Sequence, residues 1–325
     1  MRWLIAAGVA LAAVTGSVAQ AHSDLTPMLT HWTFNPTLLS VFLVSAIAYA
    51  RGQRILQLRL GAKPRRQLLQ LCCFSAAWLC LALSLVSPLD FASDYSFAAH
   101  MTQHELLMMI AAPLLCWARP LEVYLWALPQ RQRDRVILRL RQPLVQRTLH
   151  VALAPAIAVG SHALVRWTWH IPFLFEAALT NEWIHGFQHF TFFASAVWFW
   201  WAVMQGRYGK LGYGVSVVFV LATALHTGAL GALITLARRP WYALYVPRSA
   251  AWHIDSIIDQ QLAGLIMWIA AGTIFIGVGL TLMAAWLRAL ERRSAASASI
   301  SAVNGAQQTP ARPCAGVAPP THPPA

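Results

Sequence analysis

Seven apolar stretches, each about long enough to cross a hydrocarbon core at 1.5 Å per residue, divide this chain. They fall near 36–52, 67–87, 100–118, 148–168, 184–204, 213–236 and 257–287, the first being the shortest. Soluble domains carry about 25% charged residues, whereas 11% of these residues are charged and 58% are hydrophobic. The fold class expected is therefore all-α, a polytopic integral membrane bundle of seven transmembrane helices. Fifteen Trp suit a chain with two membrane interfaces to anchor.

Charge fixes a preferred orientation. Of the 24 Lys and Arg, nineteen lie in 51–66, 119–147, 205–212 and the segment after 287. By the positive-inside rule those segments are cytoplasmic, which predicts the N-terminus out and the C-terminus in. Arg166, Arg238, Arg239 and Arg248 fall in the outside segments and Arg2 in an N-terminal signal. The net charge of +13 is thus spent on topology, and no basic surface for nucleic acid is expected. The first residues read as a secretory signal: Arg2, an apolar stretch from Leu4 to Val18, and Ala19-Gln20-Ala21 as the cleavage site. The chain then divides into a signal peptide (1–21), a short periplasmic segment (22–35), the transmembrane domain (36–287) and a disordered cytoplasmic tail (288–325), the last rich in Ala, Ser and Pro. Cleavage would make His22 the first residue, with an amine and an imidazole able to chelate copper. The five cysteines form no CxxC pair, so neither a disulfide framework nor a thiolate zinc site is indicated.

In that orientation the histidines gather toward the outer face. His100 and His104 open the third span, His162 and His170 end the fourth, and His185 and His189 open the fifth. His253 precedes the seventh span and His226 sits mid-way along the sixth, while His150 lies at an inner boundary and His322 in the tail. His100, His104 and Met108 follow an i, i+4, i+8 spacing and share one helical stripe, with Met101 at its edge. Glu182, His185 and His189 share a face of the fifth span, and Asp255 and Asp259 repeat the spacing at the start of the seventh.

A lone histidine at a membrane interface is an ordinary hydrogen-bonding anchor, and Met108 and Met109 alone would be packing. Two i, i+4 histidine pairs on different helices, both at one end, point instead to a metal or proton-handling site. Imidazole and thioether together suit copper. Asp259 would fix an imidazole from behind, or cap its own helix as Asp255 would. A retinal protein is excluded, because the only lysines, Lys63 and Lys210, lie in inside loops. Haem stays open as the alternative cofactor, with His162 or His226 paired to His104 or His189.

Several segments resemble the CtaG-type cytochrome c oxidase assembly factors. They are His100-Met101-Thr102-Gln103-His104-Glu105-Leu106-Leu107, Trp169-His170-Ile171-Pro172 and Trp183-Ile184-His185-Gly186-Phe187-Gln188-His189. Gly228-Ala229-Leu230-Gly231-Ala232-Leu233-Ile234-Thr235 and the segment from Asp259 to Trp268 are similar too. The resemblance spans roughly 30–287. It departs at Trp200-Trp201-Ala202, where a proline is expected after the tryptophan pair. It implies a non-enzymatic, seven-span protein of the bacterial inner membrane that helps copper reach the buried copper centre of a haem–copper oxidase. The matching polar residues are His100, His104, His170, His185, His189, Asp259 and Gln260.

The combined expectation is a copper site made by His100, His104, Met108, His170, His185 and His189, holding the ion transiently. Asp259, Glu182, His162 and His226 are accessory to it. The expected partners are an oxidase subunit, the lipid bilayer and a periplasmic copper chaperone as donor. Against this stand a haem-b electron carrier, a copper or proton transporter using His226, and a scaffold that packs an oxidase subunit through Gly228 and Gly231.

Overall fold

The computed structural model describes residues 31–61, 64–205 and 213–307, and among them helix is the only regular secondary structure, with no strand. Proline sets many of the starts. Its missing N–H costs nothing in the first helical turn and its fixed φ suits a helix. Helices α1 (Pro36–Leu60) and α2 (Pro64–Leu85) both open on it. Asn35 caps α1 by accepting from the backbone N–H groups of Thr37 and Leu38, and Gly61 ends it at φ 54°. A short α3 (Pro88–Ser93) leads into α4 (Phe97–Glu105), a π-helical turn (Leu106–Ala111) and α5 (Ala112–Ala118). Arg119, at φ 51°, then turns the chain into α6 (Pro120–Ala127), bending the path by 49°.

Beyond it come α7 (Gln130–Leu140) and α8 (Pro143–Ala152), neither of which buries a residue. The Arg-rich stretch expected as a loop is therefore largely helical. A 55° bend separates α8 from α9 (Pro155–Trp169), followed by α10 (Pro172–Thr180), α11 (Glu182–Gln205) and α12 (Tyr213–Thr235). The last elements are α13 (Tyr245–Ala250), α14 (Ser256–Leu265), a second π-helical turn (Ile266–Ala270) and α15 (Ala271–Gln307).

Three helical stretches among the described residues are long and apolar enough to cross a membrane: Arg65–Leu85, Gly214–Thr235 and Ser256–Ala295. Counting each bent pair as one span raises the number to five. Seven is thus not what length and apolarity alone deliver. The expected spans at 36–52 and 184–204 lie on α1 and α11, whose content explains the shortfall. Arg51, Arg54 and Arg59 occupy the second half of α1, and Glu182, His185, Gln188 and His189 the first turns of α11. Helix α15 also runs on to Gln307, so the segment from 288 that composition marks as disordered begins as helix. The signal segment, His22 and His322 lie outside the described residues.

Burial departs from that of a water-soluble domain in what is exposed and in how many polar groups are enclosed. Leu43, Leu79, Leu164, Leu225 and Leu280 are exposed, while His100, Gln103, His104, Glu105, His162, Arg166, Gln188 and Asp259 are buried. Such an exterior suits lipid, and the polar interior is where function is sought. Two apolar clusters frame that interior. One joins Met108, Trp169, Phe192, Phe199, Trp200 and Phe275. The other joins Phe97, Met101, Phe175, Tyr242, Tyr245 and Met267. Helix α12 meets α14 through glycine: a Cβ on Gly231 would sit 2.9 Å from the Gly264 carbonyl oxygen, and one on Gly264 would sit 2.3 Å from Thr235 Oγ1. Only glycine permits that approach, and it draws α14 against α12 beside α4.

Candidate functional site

Helix α4 is held at its first turn by two side chains. Ser96 Oγ accepts from the Ala99 N–H, and Asp259 on α14 accepts from Ser96 Oγ (2.7 Å) and from the Phe97 and Ala98 N–H groups (2.6 and 3.2 Å). A buried carboxylate is thus satisfied by the orphan donors of a helix N-terminus. Asp259 caps α4, and its hydrogen bonds go to Ser96 and backbone, not to an imidazole. Asp255 caps α14 itself through the Ile257 and Ile258 N–H groups.

One and two turns into α4, His100 and His104 face His185 and His189 of α11. Ring centroids are 4.4 Å apart for His100–His104, 4.3 Å for His185–His189 and 5.1 Å for His104–His189. His100 lies 5.3 Å from His185 and 6.1 Å from His189. Ligand nitrogens of His100, His185 and His189 all fall within 4.8 Å of one another. His100 and His104 are fully buried, and His185 is partly open.

The hydrogen bonds decide which nitrogen is available. The Tyr245 hydroxyl donates to the Ser93 carbonyl at 2.8 Å, and burial holds its phenol well above the ordinary range, so it keeps that proton. It can therefore only accept from His100 Nδ1, 3.0 Å away. A neutral His100 then carries its proton on Nδ1 and offers the lone pair of Nε2, which has no hydrogen-bond partner in the protein. His185 Nε2, His189 Nε2 and both ring nitrogens of His104 are likewise buried without a partner. Buried ring nitrogens left without hydrogen-bond partners are costly unless something binds there.

His170 stands beside this group. Its Nδ1 donates to the Arg166 carbonyl at 2.7 Å, leaving Nε2 buried and unpartnered. Phe175 and Phe192 pack against it and against His100 and His104 respectively. Near His185 stand Asp90 and the exposed Asp94. Burial raises the Asp90 carboxyl above its ordinary range, against the hydrogen bonds it accepts from Gln103 and Thr33.

Other expected site residues are placed elsewhere. Met108 sits in the π-helical turn, where its carbonyl accepts from Trp200 Nε1 and its sulfur from Arg166 Nη2 at 3.4 Å. A wider turn breaks the i+8 continuation of the histidine stripe, and the thioether faces Arg166. Glu182 is exposed at the start of α11. His162 is fully buried beside Ser195, with its Nδ1 3.2 Å from the hydroxyl oxygen, and His226 on α12 is partly exposed. Gln260 holds the segment before α13, accepting from the Trp241 N–H and donating to the Arg239 carbonyl.

Sequence reading missed three contributors. Arg166, assigned to an outside segment, is fully buried and paired with Glu105 at 3.0 Å. The spacing Glu105 to Arg166 carries no pairing signal, although His162, Arg166 and His170 do share an i, i+4, i+8 stripe of α9 that could have exposed Arg166. Tyr245 and Gln103 had no local signal at all.

The fold and site define a helical membrane protein with a histidine-lined interior. A profile of the cytochrome c oxidase caa3 assembly factor family matches residues 47–289, and the chain belongs to that family. No curated protein and no solved structure matches the chain.

Proposed function

We propose that this protein serves the assembly of a haem–copper oxidase by holding Cu(I) transiently at His100, His185 and His189 and releasing it to an oxidase subunit. The observation that carries the reading is the convergence of those three imidazoles within 4.8 Å, in a buried setting where their Nε2 atoms have no other partner. Imidazole binds copper in either oxidation state. Tyr245 would hold the His100 tautomer, His104 would stand behind as an exchange ligand, and His170 would line the wall. The protein performs no catalysis in this account. It receives copper from a periplasmic chaperone and passes it on.

Seven spans are also part of the proposal. The three apolar stretches and two bent pairs are joined by α1 and α11, whose 25 and 24 residues suffice at 1.5 Å per residue. With the basic loops inside, the N-terminus is out and the histidine cluster faces the periplasm of the bacterial inner membrane. Residues 1–21 are the signal, 36–287 the membrane domain, and 288–325 the cytoplasmic tail.

The reading is tested by replacing His100, His185 and His189 together with Ala in the producing cell. Loss of oxidase copper and activity, with normal levels of the variant in the membrane, is expected. Normal copper content in the oxidase would refute it.

A further inference from the structure

Helix α7 buries none of its 11 residues, yet its connections hold it at the membrane. Leu128 and Pro129 alone join it to α6, and Arg141 and Gln142 alone join it to α8. Those neighbours belong to the two bent pairs that are apolar and long enough to cross a bilayer. The 11 residues of α7 are too few to cross one at 1.5 Å each, so the helix lies at the surface where those spans emerge. Its faces differ. Arg131, Arg135 and Arg139, spaced i, i+4, i+8, share one stripe and are all exposed. None of the three makes an ion pair or a side-chain hydrogen bond among the described residues. Val136, Ile137 and Leu140 fall on the other side, half-buried or exposed, and Leu138, 65% exposed, flanks the stripe. Arg133 is the charge that falls among the apolar positions, and its guanidinium stacks on the Trp126 ring, 4.4 Å from the centroid. Residues 128–142 hold five Arg against Asp134 as the acid, a net charge of +4.

We propose that α7 is an in-plane surface helix whose Arg131, Arg135 and Arg139 bind the phosphate headgroups of anionic phospholipid. Its apolar side settles at the boundary of headgroups and acyl chains, and the long arginine side chains reach the phosphates around it. A guanidinium fork matches a pair of phosphate oxygens. An acidic peptide would match the charges and leave Leu138 and Leu140 uncovered, whereas a bilayer surface takes both. The inference rests on the flanking spans crossing the membrane and is independent of what the histidine cluster holds.

The test counts, by native mass spectrometry, the lipids bound to the purified full chain in detergent with equal amounts of phosphatidylglycerol and phosphatidylcholine of the same acyl chains. It compares the protein with a combined Arg131→Gln, Arg135→Gln, Arg139→Gln variant and with Lys at the same three positions. Each arginine near an anionic surface is worth about fivefold in affinity. Preference for phosphatidylglycerol is therefore expected in the unaltered chain, reduced about tenfold or more in the Gln variant and largely kept in the Lys variant, with phosphatidylcholine binding the same in all three. The lipid-free Gln variant should melt at the unaltered temperature, because the three side chains are exposed. If it melts lower, Arg135→Gln alone carries the test, with an about fivefold loss expected and no loss overturning the proposal. An unaltered chain without the preference, or a Gln variant that keeps it in full, overturns the assignment. So does displacement of phosphatidylglycerol by an equal concentration of polyglutamate peptide, which would make the stripe a protein-docking surface.

Discussion

Tyr245 contacts no expected cargo, yet it decides what His100 can do. Its proton goes to the Ser93 carbonyl, so the Nδ1 proton of His100 has one acceptor and the lone pair points the other way. Partners of this kind shift metal affinity about 10–100-fold when removed. Tyr245→Phe should therefore weaken Cu(I) binding at the outer cluster by roughly that factor while the protein keeps its helicity. Chelator competition on the variant checks this, and an unchanged affinity would leave Tyr245 as packing. Glu105 and Arg166 make a different statement. Removing one partner of a buried ion pair costs about 3–5 kcal/mol, whereas replacing both with apolar residues can be nearly neutral. Arg166→Leu should thus lower the unfolding temperature in detergent sharply, and Glu105→Leu combined with Arg166→Leu should recover much of the loss. Equal damage in the single and double variants would mean that the pair is not coupled.

Elements rather than residues set the closeness of the site. Helix α4 carries His100 and His104, and Asp259 of α14 grips its first turn. The α12–α14 approach through Gly231 and Gly264 holds that grip in place. Gly264→Ala would drive a methyl group into Thr235 Oγ1 and backbone, and overpacking of this sort costs roughly 1–3 kcal/mol. Gly272→Ala, two turns on, meets nothing within 4 Å and should be neutral or slightly stabilising. Thermal unfolding of the two variants side by side checks the contrast. Much of this was legible in the order of residues: the i, i+4 pairs at 100/104 and 185/189 do share a face, and those faces do meet. Met108 was not, because the π-helical turn that rotates it toward Arg166 has no spacing signature. Asp259 was half legible. It does cap a helix, but the helix is α4, more than 150 residues away in sequence.

At the scale of the whole molecule, many exposed apolar side chains surround buried polar ones such as His100, Glu105, His162 and Arg166. Hydropathy alone registers three to five spans, because the helices that bring polar groups inside look less apolar for doing so. The histidine content of α11 lowers its apolarity and builds the site at once. Labelling of single cysteines placed in the α7–α8 segment and beside Trp183 should show opposite accessibility from the outside of intact cells, with Trp183 reached first. Labelling of both from one side would remove the proposed orientation. The proposal has cargo held where His100, His185 and His189 converge. The measurement that tests this most directly is Cu(I) bound per chain by the purified protein beside its His100→Ala, His185→Ala, His189→Ala variant. The bound ion is expected to disappear in the variant. Equal copper in both, or none in either, would contradict it.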